Sequence, residues 1–168
     1  MGLFFKKTAP KLKSNVLKKI NNIIAQLHPF VLICFFVAFN FCLSFVLNIL
    51  SKIILQSSFT QNAHHFSSLT DEIFLVVIIS PFIETVIFQY IIIELLFDKF
   101  KKEIICIVSA IIFACTHLYN LMYFIFAFII GLTFAYLYLI GRLKKRGFLY
   151  VYMTHIIYNF IAVTLNHL

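Results

Sequence analysis

The sequence predicts an all-α polytopic membrane protein, a bundle of about five transmembrane helices preceded by a basic amphipathic helix. Of the 168 residues, 62% are hydrophobic and only 12% are charged, whereas a soluble domain is about 45–50% apolar and about 25% charged. A single soluble core of this size could not bury so much Phe, Ile and Leu. The composition therefore excludes a disordered chain and a disulfide-stapled secreted fold. The net charge of +8 comes from basic residues lying between apolar runs, so no nucleic-acid partner is expected.

Five apolar segments account for the predicted bundle. A spanning helix needs about 20 predominantly apolar residues, and a β-barrel would show an alternating polarity that these runs lack. The third segment is the shortest and runs almost directly into the fourth. The predicted spans are residues 29–50, 72–97, 104–119, 121–140 and 148–165.

The basic residues predict how the chain lies in the membrane. Residues 1–28 are interpreted as a separate interfacial segment, and residues 29–168 as the transmembrane domain. In the first segment lysines lie opposite apolar residues at helical spacing. With five spans, 13 of the 14 basic residues fall on one side and Lys52 alone falls on the other. The positive-inside rule then places the N-terminus in the cytoplasm and the C-terminus outside. Heavy use of Phe, Ile, Lys and Asn suggests a bacterial cytoplasmic membrane as the location.

Four ionisable side chains stand out within these apolar spans, where an ionisable residue costs about 2.5–3.5 kcal/mol to insert. They are Glu84, Glu94, His117 and His155. Glu94 lies about one turn from the cytoplasmic edge, near Asp98 and several lysines, and is interpreted as structural. Glu84 lies about 12 residues from either end of its span and has no such route to water. Glu84 is therefore the stronger functional candidate.

The two histidines are predicted to meet Glu84 in the middle third of the membrane. Helical rise places Glu84 and His117 about 20 Å, and His155 about 10 Å, from the cytoplasmic edge. Asn159 follows His155 by four residues and shares its helical face. Glu84 beside a histidine can activate a water molecule, and the other histidine with Asn159 can donate to an oxyanion. A zinc site at Glu84, His117 and His155 is an alternative, as is simple hydrogen bonding between helices.

Three motifs occur in order on three of the predicted spans. They read Glu84-Thr85-Val86-Ile87-Phe88-Gln89, Phe113-Ala114-Cys115-Thr116-His117 and His155-Ile156-Ile157-Tyr158-Asn159. This arrangement resembles the CPBP family of intramembrane proteases, which includes CAAX-processing endopeptidases and bacteriocin-linked Abi proteins. The family carries Glu-Glu-x-x-x-Arg, Phe-x-x-x-His and His-x-x-x-Asn or Asp on separate helices. The resemblance covers a protease-like core at about residues 72–165.

The resemblance implies an endopeptidase that hydrolyses a peptide bond of a membrane-embedded or lipidated peptide or protein. Glu84 and His117 would activate the attacking water, and His155 and Asn159 would stabilise the oxyanion. The resemblance favours a site without a tightly bound metal, with zinc as the alternative. Supporting positions are Thr85, Phe88, Gln89 and Phe113.

Two departures from the family pattern leave other functions open. Thr85 stands where the family has its second glutamate, and Gln89 stands where it has arginine. The two are four residues apart, so we expect a neutral hydrogen-bonding pair in place of a charged one. The loss of both charges also fits an inactive bacteriocin immunity or self-protection protein. A third interpretation is a small transporter or channel component that moves protons along Glu84 and the histidines.

Overall fold

The computed structural model describes residues 23–24, 26–55, 66 and 68–167 of the chain. Within this part the regular structure is entirely helical, and no strand is formed. The predicted all-α bundle is therefore confirmed. The amphipathic helix predicted at residues 1–28 lies almost wholly outside the described residues. The helices, numbered in chain order, are α1 (Pro29–Leu55), α2 (Leu69–Leu96), α3 (Lys102–Cys115), α4 (Leu121–Arg142) and α5 (Gly147–Asn166).

Four of the five helices are long and apolar enough to cross a membrane, which makes the chain an integral membrane protein. They are α1, α2, α4 and α5. The remaining helix, α3, has 14 residues and is about 21 Å long at 1.5 Å per residue. This is about two-thirds of a hydrocarbon core roughly 30 Å thick. The predicted third span is thus present as a shorter helix, and the turn that follows it carries His117.

The turn between α3 and α4 is defined by side-chain and backbone hydrogen bonds. Asn120 caps α4, because its side-chain oxygen accepts from the backbone N–H of Met122 at 2.9 Å and of Tyr123 at 3.3 Å. The backbone N–H of His117 donates to the carbonyl of Ala114 at 2.9 Å. Such bonds satisfy groups that helix ends would otherwise leave without partners. They hold His117 just beyond the end of α3.

Helix α2 departs from regular α-helical geometry in two stretches, Ile73–Ile79 and Thr85–Ile91, which are π-helical. Pro81 lies between them and has no backbone N–H to donate. The N–H of Ser80 bonds to the carbonyl of Leu75, five residues back. The carbonyl of Val76 is thereby left without a donor from its own helix. Wide turns of this kind are frequent at functional sites, and here they flank Glu84.

Helices α2, α3 and α4 approach one another closely near the middle of α3. A Cβ atom on Gly131 would lie 2.9 Å from the Cα of Ala110, so only glycine permits this approach of α4 to α3. The buried hydroxyl of Ser109 donates to the carbonyl of Phe88 on α2 at 2.8 Å. These contacts bring the C-terminal end of α3, with Phe113 and His117, against the second π-helical stretch of α2.

Candidate active site

A cavity of about 340 Å³ lies among the helices, and all five of them contribute to its wall. The four residues predicted to be catalytic, Glu84, His117, His155 and Asn159, all line it. They come from α2, from the turn after α3 and from α5. They are up to 75 positions apart in the sequence, and the packing of the helices brings them around one cavity.

Glu84 and His155 approach each other across the interface between α2 and α5. The Oε2 atom of Glu84 lies 3.7 Å from Nε2 of His155, and their side chains are 24% and 9% exposed. This separation exceeds a hydrogen bond of about 2.7–3.2 Å. The His155 ring lies 4.9 Å from the ring of Phe134, and its Nδ1 has no hydrogen-bond partner in the part of the chain that the structure describes. Nε2 is therefore the ring nitrogen of His155 that faces Glu84.

His117 is oriented by its own helix end. Its Nδ1 lies 3.1 Å from the carbonyl oxygen of Phe113 and 2.9 Å from the hydroxyl oxygen of Thr116. The Thr116 hydroxyl itself donates to the Phe113 carbonyl at 2.7 Å. Because a carbonyl only accepts, Nδ1 must carry the hydrogen for both contacts to be favourable. In the neutral ring, Nε2 of His117 is then an acceptor with a lone pair.

Asn159 connects α5 to the irregular part of α2. Its side-chain Nδ2 donates to the carbonyl of Val76 at 2.8 Å. This is the carbonyl that Pro81 and the π-helical turn leave without a helical donor. Asn159 therefore satisfies a backbone acceptor that would be costly to bury alone. The same bond holds the face of α5 that carries His155 against α2.

The supporting residues fall into two groups. Phe88 and Phe113 are buried, and their rings meet with centroids 5.6 Å apart. Thr85 and Gln89 are fully buried, but they lie outside the cavity wall. The expected hydrogen bond between Thr85 and Gln89 is wrong, since neither side chain has a hydrogen-bond partner among the described residues. Both lie in the π-helical stretch Thr85–Ile91, where the i, i+4 geometry of an α-helix does not apply.

The sequence did not single out three other residues of the cavity wall. Glu72 is 7% exposed, lines the cavity, and its Oε2 lies 2.7 Å from Nε2 of His167. Tyr119 and Tyr123 also line the cavity, and the Tyr123 ring lies 5.2 Å from that of His117. One sequence signal could have indicated Glu72: residues 72, 76, 80 and 84 recur every four positions, as on one face of a helix. The signal for the tyrosines was that Tyr119 and Tyr123 are also four positions apart and lie close to His117 in the sequence.

Glu94, by contrast, lies outside the cavity wall. Its carboxylate accepts from Nε and Nη2 of Arg142 at 2.9 and 3.0 Å, and from the Tyr138 hydroxyl at 2.8 Å. The Arg142 guanidinium also lies 3.4 Å from the ring centre of Phe97. The arginine of α4, rather than the neighbouring lysines, is thus its partner. Glu94 joins α2 to α4.

A metal ion at this site would need ligands that converge on one point. Within residues 23–24, 26–55, 66 and 68–167, no three His, Cys, Asp or Glu side chains are grouped so that they could hold a metal. Catalytic zinc sites use three protein ligands that converge on the ion. As they are placed, Glu84, His117 and His155 do not form such a group.

The fold and the cavity define a class of protein, a helical membrane protein with a partly buried carboxylate and two imidazoles around an internal space. Residues 66–161 match the family described as type II CAAX prenyl endopeptidase Rce1-like. The match covers more than half of the 168 residues, and the chain belongs to this family. The resemblance to CAAX-processing proteases is thereby confirmed. No curated protein and no solved structure gave a significant match.

Proposed function

We propose that this protein is an intramembrane endopeptidase that hydrolyses a peptide bond of a membrane-embedded or lipidated substrate. The observation that carries the proposal is the approach of Glu84 to His155, 3.7 Å apart, on the wall of a cavity that His117 also lines. Membership of the CAAX prenyl endopeptidase family supports the same reaction. A peptide that bears a prenylated cysteine near its C-terminus is therefore the first substrate class to test.

In the proposed reaction Glu84 is the general base. Its carboxylate takes one proton from a water molecule while the water oxygen forms a bond to the carbonyl carbon of the substrate. The unprotonated Nε2 of His117 accepts a hydrogen bond from the second hydrogen of the same water and orients it. The water is thus held between Glu84 and His117 when it attacks.

His155 and Asn159 act on the oxygen that becomes negatively charged. The Nε2–H of His155 donates to the oxyanion of the tetrahedral intermediate. The second N–H of the Asn159 amide can donate to the same oxygen, while the first holds Val76. The carbon–nitrogen bond then breaks, and the proton held by Glu84 passes to the leaving amine. The products are a carboxylic acid and an amine, and Glu84 is again ionised.

The test uses the purified full chain in proteoliposomes with a prenylated peptide substrate. Glu84→Gln keeps the shape of the side chain but removes the base, and a positioned base contributes about 10²–10⁴-fold to the rate. Glu103→Gln is the matched control, since Glu103 is an exposed carboxylate in the first turn of α3. We expect the first variant to lose cleavage and the second to retain it. Full cleavage by the Glu84→Gln protein would reject the proposal.

A further inference from the structure

The cavity wall contains a second carboxylate, which is buried and which the proposed reaction does not use. Glu72 lies in the first turn of α2, is 7% exposed and lines the same cavity as Glu84. A buried carboxylate is costly unless it is paired and hydrogen-bonded. Its partner in the described part of the chain is the imidazole of His167, with Oε2 and Nε2 2.7 Å apart. The cavity thus has one carboxylate at Glu84 and another nearer the start of α2.

The first π-helical stretch of α2, Ile73–Ile79, places the carboxylates of Glu72 and Glu84 on one face of the helix. In an α-helix each step of four residues overshoots a full turn by about 40°, so twelve residues would separate Glu72 from Glu84 by about 120°. The wider turns of Ile73–Ile79 take more residues per turn and remove this drift. Residues 72, 76, 80 and 84 accordingly all line the cavity. Both ends of this row therefore face the space that a substrate would enter.

The partner of Glu72 is one that a substrate could replace. The His167 side chain is 47% exposed and lies at the C-terminal end of α5. An imidazole is charged only when it is protonated, whereas Lys and Arg stay charged at neutral pH. Glu94 is the contrasting case, a carboxylate with no place for a substrate cation, because Arg142 donates to both of its oxygens. Glu72 lacks such a permanent cation among the described residues.

We propose that Glu72 is a recognition site for a basic side chain of the substrate, lysine or arginine, and that His167 holds this place when no substrate is bound. The inference rests on the proposed peptidase function. Glu72 and Glu84 are twelve residues apart on one helix and hence no more than about 18 Å apart along its axis. An extended peptide rises about 3.3 Å per residue. The basic residue then lies at most about five residues from the scissile bond.

The first experiment measures binding, so that it does not depend on turnover. The two fluorescent prenylated peptides of a pair differ only in carrying lysine or norleucine at one position, up to about five residues from the scissile bond. A pair is made for each such position on both sides of that bond. They are titrated onto Glu84→Gln protein in nanodiscs of zwitterionic phosphatidylcholine, which removes attraction to lipid charge. We expect one lysine peptide to bind about tenfold or more tightly than its norleucine partner, as for a hydrogen bond to a charged group.

Substitutions at Glu72 and at the neighbouring Asp71 test whether Glu72 causes the preference for lysine. Adding Glu72→Gln should reduce the lysine-to-norleucine ratio to about one. Adding Asp71→Asn should leave the ratio as it was, because Asp71 is an exposed carboxylate of the same turn that contacts Ser68. Two results would overturn the proposal. One is a lysine-to-norleucine affinity ratio that stays high after Glu72→Gln is added. The other is a ratio near one for every peptide pair in the Glu84→Gln protein itself.

His167→Ala provides a variant that does not remove the carboxylate. If His167 competes with the substrate, its removal should tighten binding of the lysine peptide a few-fold and leave the norleucine peptide unaffected. If the contact only fastens α5 to α2, the ratio should not change, and the recognition site is rejected. Cleavage separates the two proposals. Wild-type protein that cleaves neither peptide rejects the peptidase function, whereas equal cleavage and equal binding of both reject only the Glu72 site.

Discussion

Two glutamates of α2, ten residues apart, have opposite surroundings. Glu94 accepts two hydrogen bonds from the guanidinium of Arg142 and a third from Tyr138. Glu84 lies on the cavity wall, and its contact with His155 is 3.7 Å long. Within the described residues the Glu84 carboxylate makes no direct hydrogen bond. The same residue type on the same helix is thus fully paired at one position and only partly paired at the other.

The difference separates a structural carboxylate from a reactive one. A carboxylate that is held by a permanent cation and several donors has little tendency to take a proton. A partly buried carboxylate beside an imidazole retains lone pairs that can act on a water molecule. Incomplete pairing costs stability, and such sites persist where function requires them. Glu72 is intermediate, because its partner is an imidazole rather than a guanidinium.

The largest effect expected from this comparison is at Glu84. Glu84→Gln should lower kcat on a prenylated peptide by about 10²–10⁴-fold, while the thermal unfolding midpoint in detergent stays the same or rises. The physical reason is that the substitution removes a base without breaking a direct hydrogen bond. Rates and melting curves are measured on the same preparation. A fall in activity that only follows a fall in the folded fraction would contradict this expectation.

A smaller effect is expected at the paired glutamate. Glu94→Gln or Arg142→Met should each lower the free energy of unfolding by about 1–2 kcal/mol, because a charged hydrogen-bonded partner is lost from a site that is about one-third exposed. Chemical denaturation of the detergent-solubilised protein measures this loss.

The double variant is the control for that pair. In Glu94→Leu with Arg142→Met no unpaired charge remains, so the loss should be smaller than the sum of the two single losses. Strictly additive losses would show that the two side chains do not stabilise the fold as a pair.

The next effect concerns the bond that brings His155 towards Glu84. Asn159→Leu removes the donor to the Val76 carbonyl and should lower the free energy of unfolding by about 1 kcal/mol. It should also lower kcat about tenfold or more, because α5 no longer holds His155 in place and the proposed donor to the oxyanion is lost. Asn166→Leu is the matched control, since Asn166 lines the cavity two turns further along α5. Equal rates for the two variants would argue against a positioning role for Asn159.

Metal chelation should have the smallest effect. Prolonged treatment with a strong zinc chelator is expected to leave the rate of cleavage unchanged, because the described residues offer no three-ligand group at Glu84. Metal content is measured by mass spectrometry before and after treatment. Loss of activity that returns on addition of zinc would show that the reaction needs a metal ion and would contradict this expectation.

Much of the fold could be predicted from local sequence. The apolar lengths predicted helices at 121–140 and 148–165, and the structure has them at Leu121–Arg142 and Gly147–Asn166. Glu84, His117, His155 and Asn159 were predicted to share one site, and all four line one cavity. The hydrogen bond expected between Thr85 and Gln89 is wrong, because it assumed a regular α-helix where α2 is π-helical.

The sequence by itself determined that this is a helical membrane protein of the CAAX protease family, because span length and polar motifs are local properties of the chain. Tertiary structure alone decided which carboxylates are paired. Glu94 meets Arg142 across 48 positions, Val76 meets Asn159 across 83, and Glu72 meets His167 across 95. These contacts depend on how helices pack and on where α2 widens its turns. No local pattern specifies such packing, since it is the folded bundle that selects the partner of each buried polar group.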